Sequence, residues 1–511
     1  MSRTTLFGPP GSGKTTTLSK WARQAADKHG GHNIMICSLT KTAAIEIQSR
    51  NTGVPKENVG TLHAHAYRSV TAEFEGRYKV ITDKDRDEFN RGRPHSQHLP
   101  KDKISEDSEQ RFSDSISGRV ALFRAQCIPS RRWPDSAKNW WDQYISWKEA
   151  NSLIDFTDMI ELALNHIDCP LDHIILDEAQ DCSALEYRLL QKWASQAKNV
   201  VIAGDDDQAA YEWRGASVDA FLGFSTDQRV LPRSYRLPKR VKEYADRWIR
   251  QIKNRKMKEY EPTANNGLVS EMVTRHPAHI VEEASALDGT TMILSTCAYM
   301  LKPILQVLQE NKIAYHNPYR VKGDYASTWN PLLAGSGTTV TSADAVRALL
   351  TTPWSYRLLH SWVREMSSSH LAYGTKAKLK RERSNDSLVP MGELSNLLGP
   401  ENLNRALKGD VQWWLSTVKD GKRREQLAFR YTLISAMSSM KETPSIIVGT
   451  IHSVKGGQAD NVFLIPDLSM AGKESYLENP DPIIRQMYVG MTRSKDKLIL
   501  VPAARRAMLQ W

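Results

Sequence analysis

The chain has 511 residues, of which 40% are hydrophobic and 25% are charged, as in ordinary globular proteins. This composition excludes wholesale disorder, a collagen-like fibre and a small disulfide-stapled domain, and no apolar run approaches the ~18 residues of a membrane span. The 69 Lys and Arg residues outnumber the 58 Asp and Glu residues, and the net charge of +11 favours a polyanionic partner such as nucleic acid.

Short apolar runs rich in β-branched residues recur along the chain and predict buried strands. They are residues Thr4–Phe7, Ile34–Leu39, His173–Leu176, Val200–Ala203, Met292–Ser295, Ile446–Ile451, Val462–Ile465 and Leu498–Val501. Helix-like stretches separate most of these runs, which is typical of an α/β fold with parallel sheets. The runs fall into two groups, before about residue 205 and after about residue 290, and we therefore expect two α/β cores.

Two long stretches lack this rhythm and are predicted to be mainly helical insertions, at residues 73–150 and 319–441. The first is rich in tryptophan, and the second carries Trp413 and Trp414. Core packing is favoured over base stacking as the role of these rings. Basic residues cluster at Arg236–Lys258 and Lys376–Arg383, where a solvated helix face and a contact with a polyanion are both open.

A phosphate-binding loop is predicted after the first strand, where the chain reads Gly8-Pro9-Pro10-Gly11-Ser12-Gly13-Lys14-Thr15. This segment fits G-x-x-x-x-G-K-[ST], whose glycines let backbone N–H groups surround an anion at the start of a helix. Lys14 would neutralise the β- and γ-phosphates of ATP, and the Thr15 hydroxyl would hold Mg²⁺. We also expect Thr16 to contact the nucleotide.

The strand at 173–176 ends in two adjacent carboxylates, Asp177 and Glu178. Asp177 is placed to bind Mg²⁺, and Glu178 is placed to polarise the attacking water. After the next strand, Gln208 could sense a γ-phosphate. Tyr211 and Trp213 alternate in a polar loop, where base stacking is the natural use of two large rings.

Taken together and in this order, these segments resemble the superfamily 1 helicases of the UvrD/Rep/PcrA type. Other segments are similar to the rest of that family's motif series: Thr40–Glu46, Gly60–His63, Asp155–Met159, Ser234–Arg236, Val448–Gly457 and Tyr488–Arg493. The resemblance implies two RecA-like P-loop NTPase cores that use ATP and Mg²⁺. It also implies movement on single-stranded DNA in the 3′ to 5′ direction.

The resemblance further assigns roles to single residues. Tyr235 would stack on the nucleotide base, and Arg236 and Arg493 would contact the γ-phosphate. The residues expected to contact DNA are Thr40, Thr61, His63, Tyr211, Trp213 and His452. We expect Lys14 and Glu178 in one core and both arginines in the other, so that hydrolysis requires closure of the two cores.

We place the first core at residues 1–72 and 151–220 and the second at 221–318 and 442–511, with a reduced insertion at 319–441. The small second insertion is similar to compact, phage-like members of the family. No segment that reads adenine is expected before Gly8, so the base preference for the nucleotide stays open.

ATP-dependent unwinding of DNA in replication, repair or recombination is the leading function. A translocase that strips proteins with little unwinding and a nuclease acting on branched DNA are the alternatives. The expected partners are single-stranded, tailed or forked DNA and no membrane, with a monomer or a DNA-dependent assembly. The widely scattered cysteines fit a reducing compartment, and we expect a cytoplasmic location, in the host if the protein is phage-encoded.

Overall fold

A computed structural model describes residues 2–39, 44, 47, 49–100, 115–317, 342–436, 444–504 and 509. Contacts divide the chain into two compact units. Unit 1 comprises Met1–Met272, Thr296–Tyr299 and Asp460–Trp511, and unit 2 comprises Val273–Ser295 and Met300–Ala459.

The strands alternate with helices along most of the chain. The strands are β1 Ser2–Phe7, β2 Ile34–Ser38, β3 Val59–Thr61, β4 Lys79–Val80, β5 Leu153–Ile154, β6 His173–Leu176, β7 Asn199–Gly204, β8 Asp227–Val230, β9 Leu268–Glu271, β10 Thr291–Ser295, β11 Tyr315–His316, β12 Ile446–Thr450, β13 Ala459–Leu464 and β14 Ser494–Leu500. Helices in the first half are α1 Lys14–His29, α2 Leu62–Glu73, α3 Asp83–Asn90, α4 Ile116–Ala125, α5 Asp135–Ala150, α6 Phe156–His166, α7 Ala184–Ala194, α8 Val218–Leu222 and α9 Lys239–Ile249. Those that follow are α10 Pro277–Ala286, α11 Lys302–Glu310, α12 Ser342–Leu350, α13 Tyr356–Val363, α14 Thr375–Arg381, α15 Met391–Leu398, α16 Pro400–Leu407, α17 Val411–Ser416, α18 Gly421–Ala436, α19 Met470–Glu478 and α20 Asp481–Met491.

A six-stranded sheet of order β3-β2-β6-β7-β1-β8 forms the centre of unit 1. All of its neighbouring strands run parallel. Both faces are covered, because Leu6 packs into one apolar cluster and Phe7 into another. Burial on both faces explains why these strands read as continuous apolar runs rather than as alternating patterns. Because the strands are parallel, the loops that follow β1, β6, β7 and β8 all leave at one edge of the sheet.

The predicted insertion at 73–150 is a small helical subdomain of unit 1. Helices α3, α4 and α5 and strand β4 belong to this region, and β4 pairs in parallel with β5, which follows directly after the region. Its core is aromatic, with Trp133 and Trp140 6% and 3% exposed, and each indole N–H donates to a backbone carbonyl at 2.8 Å. The packing role predicted for these tryptophans is therefore confirmed.

Three further strand pairs are also parallel. In unit 2, β10 and β11 flank β12, and in unit 1, β14 pairs with β9. The described part of the second predicted insertion consists of helices α12 to α18. Trp354, Trp362 and Trp414 lie at the centre of its apolar core, whereas Trp413 packs at the margin. The architecture is thus the expected α/β fold with parallel sheets flanked by helices.

Among the helices of the described residues, none combines the length and the apolar character needed to cross a bilayer.

Candidate functional site

The loop between β1 and α1 has the form of an anion cradle. Gly11 and Gly13 both adopt left-handed backbone conformations, with φ of 71° and 78°. The Lys14 ammonium donates to the Gly8 carbonyl at 3.0 Å, which bends the side chain back over the loop. The Ser12 hydroxyl is buried and has no hydrogen-bond partner among the described residues. A phosphate group would satisfy this hydroxyl and the N–H groups at the start of α1.

Two glycines of the loop are required by close approaches. A Cβ on Gly8 would lie 1.9 Å from Cγ of Lys14, so a larger residue would displace the lysine. A Cβ on Gly11 would lie 2.3 Å from Cβ of Arg236. The backbone N–H of Tyr235 also donates to the Gly11 carbonyl at 2.9 Å. The loop is therefore in direct contact with the segment that carries Tyr235 and Arg236.

Thr15 and Asp177 fit a magnesium site. The Thr15 hydroxyl donates to Oδ2 of Asp177 at 2.6 Å, so one oxygen ligand from each residue is already adjacent. Asp177 is 1% exposed, and burial together with the neighbouring Glu178 carboxylate raises its pKa to about 6. A buried carboxylate that is costly to ionise is stabilised by a bound cation, because a divalent ion compensates its charge. Carboxylate and hydroxyl oxygens are also ligands that Mg²⁺ accepts.

Glu178 is held by both its backbone and its side chain. Its φ of 56° and ψ of 37° place it in the left-handed region, which costs a residue with a Cβ about 1 kcal/mol or more. Gln180 donates to its carboxylate at 2.6 Å and accepts a hydrogen bond from the Asp205 N–H at 3.1 Å. Gln180 is fully buried, and it links the loop after β6 to the loop after β7. The role of this glutamine was not predicted from the sequence.

Gln208 and Arg493 are in direct contact. Nη2 of Arg493 donates to Oε1 of Gln208 at 2.6 Å, and Nε donates to the Val489 carbonyl at 2.9 Å. Arg493 is 1% exposed, so its charge is confined beside the loop after β7. Both residues belong to unit 1, together with Lys14, Asp177 and Glu178. The division into two cores stays a prediction.

Arg236 and Tyr235 lie beside the phosphate loop with different surroundings. Nη1 of Arg236 donates to the Thr492 carbonyl at 3.3 Å, next to Arg493. The Tyr235 ring is 73% exposed, and Arg233 lies over it at 5.7 Å. An exposed ring beside a phosphate loop is suited to stacking on a nucleotide base.

The basic cluster at Arg236–Lys258 ends in a buried ion network. Arg255 pairs with Asp207 through two hydrogen bonds, and the Lys258 ammonium contacts the carboxylates of three consecutive aspartates, Asp205, Asp206 and Asp207. The sequence left open whether this basic cluster forms a solvated helix face or contacts a polyanion. Both interpretations are wrong for Lys258, because its side chain is 1% exposed and pairs with aspartates. This pairing was not predicted, because the partners are about fifty residues apart in the chain, although three adjacent aspartates after a buried strand were a usable signal.

The expected DNA contacts of unit 1 occupy two places. The Thr61 hydroxyl caps α2 by accepting from the Ala64 N–H at 3.1 Å, and His63 lies 3.4 Å from Glu186 with a third of its side chain exposed. Tyr211 and Trp213 are half-buried; Trp213 lies in the short 3₁₀ segment Glu212–Arg214, and Tyr211 directly precedes it. Arg485 pairs at 2.8 Å with Glu212, the residue between these two rings.

Two further residues, His452 and Thr40, were also expected to contact DNA. His452 begins a 3₁₀ turn after β12 and belongs to unit 2. Thr40, with most of the segment 40–46, lies outside the described residues.

The segment Asp155–Met159 forms a buried ion network rather than an open site. Asp155 and Asp158 cap α6 reciprocally, and each pairs with both Arg124 and Lys148. Both cations come from the helical subdomain at 73–150 and are about 5% exposed or less. The guanidinium and the ammonium hold the pKa of Asp155 well below its ordinary range. This segment therefore ties the subdomain to the start of α6.

Comparisons with known proteins support the family resemblance that was found in the sequence. Two family models match: the UvrD/REP helicase N-terminal domain over residues 2–229 and the UvrD-like helicase C-terminal domain over residues 445–501. ATP-dependent DNA helicase PcrA of Bacillus subtilis is 25% identical over 288 residues, which cover 50% of this chain and 38% of the relative. DNA helicase II of Salmonella typhimurium is 24% identical over 375 residues, covering 61% and 48%. A probable DNA helicase II homolog of Mycoplasma pneumoniae is 23% identical over 323 residues, covering 56% and 44%. The chain thus matches less than half the length of each of these relatives.

Proposed function

The chain belongs to the UvrD/Rep family of helicases, and on that premise we propose that it is an ATP-dependent motor that moves on single-stranded DNA and unwinds duplexes. The observation that carries the proposal is the set of polar groups at one edge of the parallel sheet. Lys14, the Thr15–Asp177 pair, Glu178 and the Gln208–Arg493 pair all follow strands or helices that end there. These groups match what phosphoryl transfer to water requires: a phosphate cradle, a cation site, a base and a positive charge.

Each group has a part in the proposed hydrolysis of ATP. Thr15 and Asp177 would hold Mg²⁺, which neutralises charge on the β- and γ-phosphates. Glu178 would accept a proton from the attacking water, and its restricted conformation keeps that carboxylate in place. Lys14, Arg236 and Arg493 would stabilise the negative charge that develops on the transferred group. Tyr235 would stack on the base, and residues 8–16 would surround the phosphates.

DNA is the proposed track, in single-stranded, tailed or forked form. Thr61, His63, Tyr211, Trp213, His452 and Thr40 would hold it through backbone contacts and base stacking. Movement would arise when two RecA-like cores close on ATP and open on product release. The 3′ to 5′ direction, the cytoplasmic location and the choice between a monomer and a DNA-dependent assembly belong to the proposal through the family resemblance.

A strand-displacement assay tests the proposal. Labelled duplexes with a 3′ tail, a 5′ tail or a fork are incubated with ATP and Mg²⁺, beside the Lys14→Ala variant as control. ATP-dependent release of an intact strand from the 3′-tailed duplex, lost in Lys14→Ala, is expected. DNA-stimulated hydrolysis without strand release would instead favour the translocase. Shortened strands on a denaturing gel, persisting in Lys14→Ala, would establish a nuclease.

A further inference from the structure

Lys258 is a buried cation enclosed by three carboxylates. Its ammonium lies 2.9 Å from Oδ1 of Asp205, 2.5 Å from Oδ1 of Asp206 and 2.8 Å from Oδ2 of Asp207. The lysine side chain is 1% exposed and the three aspartates are not exposed at all. Arg255 supplies a second cation to Asp207, so two positive groups face three negative ones. These five side chains hold one another in place, because the removal of any one would leave a buried charge without its partner.

Asp205 divides its two oxygens between Lys258 and a residue of the candidate site. While Oδ1 faces the ammonium, Oδ2 accepts a hydrogen bond from the side-chain amide of Gln208 at 2.6 Å. The other end of that amide, Oε1, accepts from Arg493 at 2.6 Å. A continuous polar series therefore runs from Lys258 through Asp205 and Gln208 to Arg493, entirely within unit 1.

The series fixes the orientation of the Gln208 amide. An amide presents a donor at one end and an acceptor at the other, and only one of its two orientations offers oxygen to Arg493. The Asp205 carboxylate selects that orientation because it can only accept a hydrogen bond while it is ionised. Lys258 in turn keeps the Asp205 carboxylate ionised and correctly oriented. Without a cationic partner, a buried aspartate would take up a proton and become a hydrogen-bond donor.

We infer that Lys258 is a positioning residue for ATP hydrolysis, acting through Asp205 to hold Gln208 and Arg493. This inference rests on the proposed function, in which Gln208 and Arg493 meet the γ-phosphate. Lys258 itself touches neither of those two side chains in the contacts described above. A purely structural anchor would predict only a loss of stability when any of the three aspartates is changed.

Two matched substitutions separate these possibilities. Asp205→Asn and Asp206→Asn each remove one of the three carboxylates around Lys258, but only Asp205 also holds Gln208. Asp206 accepts from the Lys256 N–H at 2.8 Å as well as from Lys258, so its asparagine, like that of Asp205, replaces one accepting oxygen with an amide donor, and the two substitutions are chemically matched. The readouts are kcat and KM for DNA-stimulated ATP hydrolysis, together with the melting temperature of each variant.

We expect Asp205→Asn to lower kcat by at least ~10-fold, because misplacing a catalytic group by about 1 Å can cost on the order of 10²-fold. The KM for ATP should change by less than about threefold, since Lys14 and the phosphate loop are untouched. Asp206→Asn should keep kcat within about threefold of the wild type, with a melting temperature similar to that of Asp205→Asn.

A double variant tests Lys258 while preserving the sum of charges. Lys258→Met leaves three carboxylates facing one arginine and can prevent folding, but Lys258→Met with Asp206→Asn removes one charge of each sign. We expect this double variant to fold and to lose kcat as Asp205→Asn does, with Asp206→Asn alone as its reference.

Equal kcat in Asp205→Asn and Asp206→Asn would overturn the inference, as would full activity of the double variant. Failure of both Asp205→Asn and the double variant to fold, with Asp206→Asn folded, would show a structural anchor and would also overturn it. These outcomes differ from failure of the proposed function, in which the wild type itself shows no DNA-stimulated hydrolysis and the inference falls with it.

Discussion

Replacing Asp177 with asparagine should stabilise the nucleotide-free protein, although it removes a proposed ligand of Mg²⁺. Burial and the adjacent Glu178 raise the pKa of Asp177 from 3.8 to about 6. The folded chain therefore binds more protons than the unfolded chain between these two values, and its stability falls as the pH rises through that window. Asparagine carries no charge at any pH, so the stability of Asp177→Asn relative to the wild type should increase over the same pH range.

The size of the effect follows from the shift. The rise of about two units in the pKa of Asp177 lowers the free energy of unfolding of the wild type by roughly 3 kcal/mol at pH 8. About half of that loss is already present at pH 5. The hydrogen bonds need not be lost, because the asparagine oxygen can accept from the Glu178 N–H while its NH₂ donates to Thr15. Those contacts are 2.9 Å and 2.6 Å in the aspartate form. We therefore expect the advantage of Asp177→Asn to widen by about 1–1.5 kcal/mol from pH 5 to pH 8.

The assay is thermal unfolding of both proteins at pH 5 and pH 8, with EDTA and without nucleotide. A widening of about 2 °C in the difference between their melting temperatures is expected, since 1 kcal/mol moves a domain of 150–250 residues by roughly 2–4 °C and a larger one by less. Asp172→Asn is the control, because Lys198 lowers the pKa of this exposed aspartate and no gain with rising pH is expected. An advantage independent of pH, or a variant less stable than the wild type at pH 8, would refute the reasoning.

Three further substitutions test other parts of the structure. Tyr235→Ala should raise the KM for ATP several-fold and leave the melting temperature within about 1 °C, because the ring is 73% exposed; an unchanged KM would argue against base stacking. Gly11→Ala should lower kcat/KM for ATP hydrolysis by at least ~10-fold, since the new Cβ would lie 2.3 Å from Arg236, whereas Gly392→Ala meets nothing within 4 Å and should match the wild type. Arg124→Met should destabilise unit 1 by about 3–5 kcal/mol, because the largely buried carboxylates of Asp155 and Asp158 then share the Lys148 ammonium alone; thermal unfolding that matches the exposed-site control Arg405→Met would contradict this.

The strands and the phosphate loop could be predicted from the sequence because their signals are local. Continuous apolar runs bounded by glycine or aspartate located β1, β2, β6 and β7 to within a residue or two. The short strand β8 was missed, since three of the four residues of Asp227–Val230 are polar and the strand lies at the edge of the sheet. Strand β9 was missed for a similar reason, because Leu268–Glu271 is largely exposed.

The ion networks could not be predicted, because they join residues that are distant in the chain. Nothing near Lys258 in the sequence identifies the three aspartates that enclose it, and a run of basic residues ordinarily indicates a solvated face. Asp155 and Asp158 were recognised as a family segment, but their pairing with Arg124 and Lys148 depends on how the subdomain packs. Burial of charge is a property of the tertiary structure, so spacing alone does not reveal it.

The ion network of Arg124, Lys148, Asp155 and Asp158 also affects which segments of this protein can be exchanged with those of a relative. An exchange of residues 73–150 with the same region of a relative would transfer both cations and leave both carboxylates behind. In such a hybrid, the carboxylates of one parent would have to pair with cations supplied by the other, so the four charges would no longer come from one protein. A transplantable module should therefore extend through α6, to His166, so that the four charges and Glu161, which also pairs with Arg124, are inherited together.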